Sequence, residues 1–274
     1  MTYRLAVVGG GNMGAALVGG LLSENCSGWS AGDLVVVEVL ASRAAQLREM
    51  FPDVTVSDVV PPCAAAVIAV KPPDVAAACT AAAAAGATRL LSIAAGIPLA
   101  TLETAAGHVA GANGLEKDVA VVRAMPNTAA LVGQGAAAIS AGATADDDDM
   151  AWAESILGAV GTVVRVPETQ LDAVTGLAGS GPAYLFLIAE ALIEAGVAAG
   201  LSQHDSETLV TQLFVGSAAL LRERGEPAEL RRMVTSPGGT TAAGLRVLDE
   251  HGVFGAFREA VLAAKARSIE LGRS

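Results

Sequence analysis

The chain has 274 residues, 53% of them hydrophobic, and a formal net charge of −11. That apolar content excludes disorder and demands a sizeable core, in one large domain or two ordinary ones. The acidic balance, with no Lys/Arg cluster to offset it, argues against nucleic acid or an anionic membrane surface as a partner.

Residues 5–9, LAVVG, read as a buried parallel strand. Only Met1 to Arg4 precede it, so no signal peptide is expected. The strand runs into Gly9-Gly10-Gly11-Asn12-Met13-Gly14, and a small-residue helix pattern follows over 15–22. This is G-x-G-x-x-G with a strand before and a helix after, the context that marks a dinucleotide site. The first glycine allows the tight turn, the second lets backbone approach a pyrophosphate, and the third lets helix and strand pack closely.

A second strand, 34–37, ends at Glu38. An acid there either bonds the ribose hydroxyls of an NAD-type cofactor or is a solvated strand end. Ser42 and Arg43 stand within one turn and offer an alternative hold on a 2′-phosphate, so cofactor preference stays open. Residues 54–56 read as a third strand and 65–70 as a fourth, stopped by Lys71-Pro72-Pro73, with a helix over 74–85. Ala69, Val70, Lys71 and Pro72 then lie at the carboxyl ends that line a cofactor crevice. Lys71 is equally readable as a solvated strand end.

A fifth strand, 90–93, ends in Ala94-Ala95-Gly96, which leaves room either for a ligand against the backbone or for close helix packing. Helix 99–106 and strand 118–123 follow. Asn127, beyond that strand, either orients a carboxamide or substrate or caps a turn. Strands are expected over 135–140 and 162–166, with a helix over 152–157 between them. Asp146 to Asp149 suit the positive end of that helix, with Thr144 placed to cap it, and do not converge as metal ligands. The uncharged run 124–145 carries Pro126, Asn127, Gln134 and several glycines, so it reads as buried strand and loop rather than a membrane span. Cys26, Cys63 and Cys79 lack CxxC spacing; neither a disulfide framework nor a metal site is expected, and a reducing cytoplasm fits them.

From Pro167 onward helical periodicity takes over. The helix over 183–199 is apolar nearly all round, with only Glu190 and Glu194 charged. Such a helix must be buried, and a subunit interface is the expected cover. Further helices are expected over 205–224, 227–235 and 253–271. Between the last two lies TSPGGTT, 235–241. Pro237 stops the preceding helix, and Gly238 and Gly239 open the angles for a turn. The next helix, where Arg246 can pair with Glu250, starts at Thr240. The turn is either a capped helix start or a backbone site for an anion.

GGGNMG at 9–14, AVKP at 69–72, RAMPNT at 123–128, GLAGSGPAY at 176–184 and VTSPGGTTAAGL at 234–245 together resemble pyrroline-5-carboxylate reductase. The order of the motifs matches that family over nearly the whole chain, and SPGGTT is the specific one. The resemblance implies an α/β fold: an N-terminal Rossmann-type doubly wound sheet over 1–166 and an all-helical substrate-binding and dimerisation domain over 167–274. It implies reduction of 1-pyrroline-5-carboxylate to L-proline, the last step of proline biosynthesis, with NADPH or NADH, by an intertwined homodimer often assembled further. It implies cofactor binding by Gly9, Gly10, Gly11, Asn12, Met13 and Gly14 and by Ala69, Val70, Lys71 and Pro72; Val8, Ala94, Ala95 and Gly96 are added from their places at strand ends. Glu38, Ser42 and Arg43 join that set, and Asn127 sits near the nicotinamide. Ser236, Gly238, Gly239 and Thr240 receive the substrate, with Asn127, and Thr240 is the catalytic candidate. Ala129 stands where the family usually has proline, and Glu38 where NADPH-preferring members often have a small polar residue.

The implied chemistry needs no metal and no His–Asp pair. A protonated cyclic imine accepts hydride readily, so the protein mainly holds carbon against nicotinamide. His108, His204 and His251 fall in expected loops or helix ends. A β-hydroxyacid-type dehydrogenase shares this layout but relies on a lysine in its helical half. Here Lys265 is the only lysine after Lys117, and it lies late in the final helix. A non-catalytic nucleotide-binding regulator is the alternative from another class.

Overall fold

The computed structural model describes residues 2–110 and 116–272. In chain order the elements are β1 (Leu5–Val8), α1 (Asn12–Leu21), β2 (Leu34–Val37), α2 (Ala41–Met50), β3 (Thr55–Ser57), β4 (Ala65–Ile68), α3 (Val75–Ala84), β5 (Arg89–Ser92) and α4 (Leu99–Ala106). A hairpin of β6 (His108–Ala110) and β7 (Glu116–Asp118) follows, then β8 (Ala120–Met125), β9 (Gly135–Ala141), α5 (Asp147–Gly158) and β10 (Gly161–Arg165). The remainder is helical: α6 (Leu171–Val174), a π-helical turn (Thr175–Gly179), α7 (Gly181–Ala198), α8 (Gln203–Arg224), α9 (Pro227–Met233), α10 (Thr240–Glu250) and α11 (Val253–Leu271).

Eight strands form one sheet in the order β10-β9-β8-β5-β4-β1-β2-β3. Every pairing is parallel except β8 with β9. Buried on both faces, β1, β2 and β4 show no polar alternation, as a parallel sheet covered by helices requires. One face packs Leu17, Val18 and Leu21 of α1 with Leu47 of α2 and Ile156 of α5. The other packs Val75, Ala78 and Cys79 of α3 with Leu99 and Leu102 of α4. Full burial of each such Leu, Val or Ile contributes about 1.5–3 kcal/mol.

The described residues fall into two compact units, one of 1–180 with 263–274, the other of 181–262. The last strand ends at Arg165, near the change of sequence character, while the compact units part later, at Ser180. In the second unit α7 and α8 approach closely: a Cβ on Gly196 would lie 2.7 Å from Ser206 Oγ. The expected burial of the apolar helix is not met within the protomer. No residue of α7 is buried, and Phe186 and Leu187 are each 65% exposed.

Two local expectations are corrected. The strand expected from 118 begins at Ala120, because Asp118 belongs to the preceding hairpin and pairs with His108 at 2.8 Å. The cap of α5 is Asp146, not Thr144. Asp146 accepts the Asp149 N–H, and the Asp149 carboxylate accepts the Asp146 N–H in return. Thr144 instead donates its hydroxyl to the Val119 carbonyl. Asp149, nearly buried, also holds Arg89 of β5 at 2.6 Å, so α5 is fastened to the sheet at its first turn.

Asp149→Ala removes both the reciprocal cap and the Arg89 partner. A loss of about 2 kcal/mol is expected, read as a fall of about 5 °C in Tm. Burial pushes the thiols of Cys63 and Cys79 from an ordinary 9.0 up to about 11. These folded values lie above the unfolded ones, so their contribution to stability is complete below pH 9 and lost as pH rises towards 11. A thiol reagent at pH 7.5 should therefore leave Cys63 and Cys79 unmodified in the native protein and label both in denaturant.

Candidate active site

The glycine loop sits where the carboxyl ends of β1, β2 and β4 meet. Gly9 donates its N–H to Val37 O at 2.9 Å, and Ala69 donates to Val8 O at 2.7 Å. Gly9 has φ +105°, and a Cβ on it would lie 2.6 Å from the Ala69 carbonyl oxygen. Gly14 packs so tightly that a Cβ would fall onto the Gly9 carbonyl. A Cβ on Gly10 would collide with Leu47 of α2. Gly11 differs: it is the N-cap of α1, exposed, and nothing lies within 4 Å of where its Cβ would be. No side chain caps α1 and no acid occupies its first turn. Open space over bare helix N–H groups is the cradle a pyrophosphate requires, so these residues fit a dinucleotide. Asn12 and Met13 begin the helix beneath that space, and Val8 is buried behind it.

Glu38 is held rather than free. Its Oε2 accepts the Gly10 N–H at 3.1 Å, and its Oε1 accepts the Leu40 N–H at 2.8 Å. Arg43 of α2 reaches over to the same loop, donating from Nε to Gly10 O at 2.7 Å, from Nη1 to Gln46 Oε1 at 3.0 Å and from Nη2 to Gly11 O at 3.5 Å. Ser42 is exposed beside them. Ala69 and Val70 are half-buried next to Gly9, and exposed Lys71 leads into a 3-10 turn, Pro72–Asp74.

Two expected contacts are reassigned. Gly96, with φ +78°, does not leave its face open: a Cβ there would meet Leu271 Cβ at 3.7 Å, so the end of α11 covers it. Ala94 is buried and Ala95 exposed. Asn127 is not a free amide. Its Nδ2 donates to Ala178 O at 3.1 Å, and its Oδ1 accepts the Ala136 N–H at 3.0 Å. The side chain thus fastens the β8–β9 loop to the π-helical turn, whose Gly179 leaves space for Met125: a Cβ there would approach Met125 Cε at 2.5 Å. An ion pair also escaped the sequence reading. Arg123, 7% exposed, donates to Glu168 Oε1 at 2.9 Å, and the same oxygen accepts the Leu99 N–H at 2.7 Å. A charged residue inside an apolar strand was the signal; its partners are too distant in sequence to name from spacing.

In the second unit, TSPGGTT forms an exposed turn opening α10. Gly238 has φ +69°, and the Gly239 N–H closes the turn on Ser236 O at 3.1 Å. A Cβ on Gly239 would collide with Ser236 Oγ. The helix has no side-chain cap, and its first bond runs from Ala243 N to Gly239 O. The N–H groups of Thr240, Thr241 and Ala242 therefore precede that first bond, at the positive end of the helix dipole. The Arg246–Glu250 pair forms at 2.5 Å. His204 is exposed at the start of α8, and the ring of His251 rests on Val247 O at 2.9 Å at the end of α10. No group of three or more His, Cys, Asp or Glu placed to hold a metal ion occurs among the described residues.

Two family models match the chain: NADP oxidoreductase, coenzyme F420-dependent, over residues 4–96, and pyrroline-5-carboxylate reductase dimerisation, over residues 168–271. The chain is 40% identical to a pyrroline-5-carboxylate reductase of Synechocystis over 100% of both chains. It is 38% identical to that of Corynebacterium melassecola over 98% of each. A solved pyrroline-5-carboxylate reductase from Coxiella burnetii superposes with a TM-score of 0.88 at 32% identity, covering 100% of both chains. One from Plasmodium falciparum with NADP bound superposes at 0.81 with 28% identity over 98% of each. A glycine loop fit for a dinucleotide, an uncapped turn fit for a carboxylate and full-length identity of this order make the chain a member of the pyrroline-5-carboxylate reductase family.

Proposed function

We infer that this chain is a pyrroline-5-carboxylate reductase, an NAD(P)H-dependent oxidoreductase that reduces the cyclic imine of 1-pyrroline-5-carboxylate to L-proline, the last step of proline biosynthesis. The observation that carries the reading at the substrate end is the turn at Gly238 to Thr240, which opens a helix with no side-chain cap and leaves the N–H groups of Thr240, Thr241 and Ala242 ahead of the helix's first bond. Such a turn binds a carboxylate without a cation. When bound, a reduced nicotinamide would supply the hydride; the substrate, already protonated on nitrogen, would accept it at C5 as the C=N π pair returns to nitrogen, leaving the secondary amine. In this reading Ser236, Gly238, Gly239 and Thr240 hold the carboxylate, and the Thr240 hydroxyl bonds the ring nitrogen. Val8 to Gly14, Glu38, Ser42, Arg43 and Ala69 to Pro72 hold the cofactor. Asn127 acts by positioning the loop, since both ends of its amide are engaged.

The protomer works as a homodimer. The helical stretch Glu168–Ala198 is long and apolar enough to cross a membrane by length and composition, yet it lies within the segment that the dimerisation model matches. A second copy on α7 accounts for its exposure. We assign 1–166 to cofactor binding and 167–274 to substrate binding and dimerisation, a division drawn at the change of sequence character near Pro167 and supported by the end of the last strand at Arg165. Further association of dimers and a cytoplasmic location, in keeping with three free cysteines, belong to the same reading.

Oxidation of NADH or NADPH by the purified protein on addition of 1-pyrroline-5-carboxylate tests the function directly. Absence of turnover with both cofactors would refute it. Thr240→Ala should lower kcat by about 10²-fold while leaving cofactor affinity nearly intact, the scale of a single proton-handling group. An unchanged kcat removes Thr240 from the chemistry. Gly11→Ala fills the open space at the α1 N-cap without meeting any protein atom. It should leave Tm nearly unchanged and weaken NAD(P)H binding at least about tenfold, as expected where backbone must approach a pyrophosphate.

A further inference from the structure

We propose that Glu38 makes this chain an NADH enzyme that discriminates against NADPH. The inference rests on the reductase reading above and names the cofactor that its nucleotide site selects. The carboxylate is fixed from two sides, by Gly10 N–H at 3.1 Å and Leu40 N–H at 2.8 Å. A carboxylate has about four lone-pair sites, and these two bonds use half of them. The rest suit two hydroxyl donors, which is what an unphosphorylated adenosine ribose presents. A 2′-phosphate presents no such pair at neutral pH. It brings nearly two negative charges against a carboxylate already in place.

Glu38 cannot simply swing aside. The Gly10 N–H is partly buried, and moving the carboxylate strips it of its partner. Nor is the loop free to shift, because Gly10 has Leu47 of α2 where a Cβ would be. Arg43 bonds the same loop backbone as the acid, and it is already engaged through Nε, Nη1 and Nη2 with Gly10 O, Gln46 and Gly11 O. It balances one charge, not the acid and a phosphate together. Val39 and Leu40, 76% and 64% exposed, follow the acid and give an adenine plane an apolar surface on which to rest.

Equilibrium titration of the full-length protein, followed by NADH and NADPH fluorescence without substrate, is the test. NADH should bind at least about tenfold more tightly than NADPH, the scale of one near-surface charge contact. Glu38→Gln keeps the size and one acceptor of the side chain and removes its charge; it should bring the two affinities to about parity. Equal or tighter NADPH binding by the wild type overturns the proposal. So does a variant that weakens both cofactors equally with their ratio unchanged, the result of a purely structural role. Should the variant fail to fold, competition of AMP and adenosine 2′,5′-bisphosphate, which differ only in the 2′-phosphate, for NADH on the wild type decides alone. AMP displacing at lower concentration supports selection at the 2′ position, and the reverse order overturns it. Turnover of 1-pyrroline-5-carboxylate separates the two levels: activity with an NADPH preference sinks only this inference, and no activity with either cofactor sinks the reductase reading.

Discussion

The first unit depends on one close approach, the backbone of Gly9 against the carbonyl of Ala69. Parallel strands aim their carboxyl ends at one edge, and there β1, β2 and β4 must share a space narrower than any side chain. A positive φ at Gly9 turns the chain through that gap, and Gly14 then lets α1 lie directly on the turn. The unoccupied volume is displaced to Gly11, the only glycine of the loop with nothing near its missing Cβ. The tightness of the packing on either side is what fixes the position of the opening.

Charged side chains extend this economy around the crevice. Arg43 and Glu38 bond the loop's own backbone, so the two charges beside the glycine turn also hold it in shape. Glu168 collects Arg123 from β8 and the first N–H of α4 on a single oxygen. Asn127 bridges the β8–β9 loop and the π-helical turn, where the wider helix presents the Ala178 carbonyl. Glu38, Arg43, Glu168 and Asn127 each have at least one backbone partner, which fixes their place more firmly than another mobile side chain would.

Much of this was legible in the residues. The apolar runs at 5–8, 34–37 and 65–68 carry no polar alternation and so could only be strands covered on both faces. The helix over 99–106 and the last helix have the bounds expected from their periodicity. What spacing could not show is what depends on long-range partners. Asn127 reads as a free amide until Ala136 and Ala178 come beside it, and Gly96 reads as open until Leu271 returns to cover it. Four consecutive aspartates obscure which residue starts α5. The reciprocal bonds of Asp146 and Asp149 decide that.

The exposed flank of α7 has a thermodynamic meaning. A protomer whose longest apolar helix has no buried residue has not finished folding in the energetic sense; part of the hydrophobic driving force is realised only on association. Stability and assembly are then one equilibrium. Dilution draws the population toward the monomer and, through it, toward the unfolded chain, so the amount of enzyme in solution becomes a variable of its own fold.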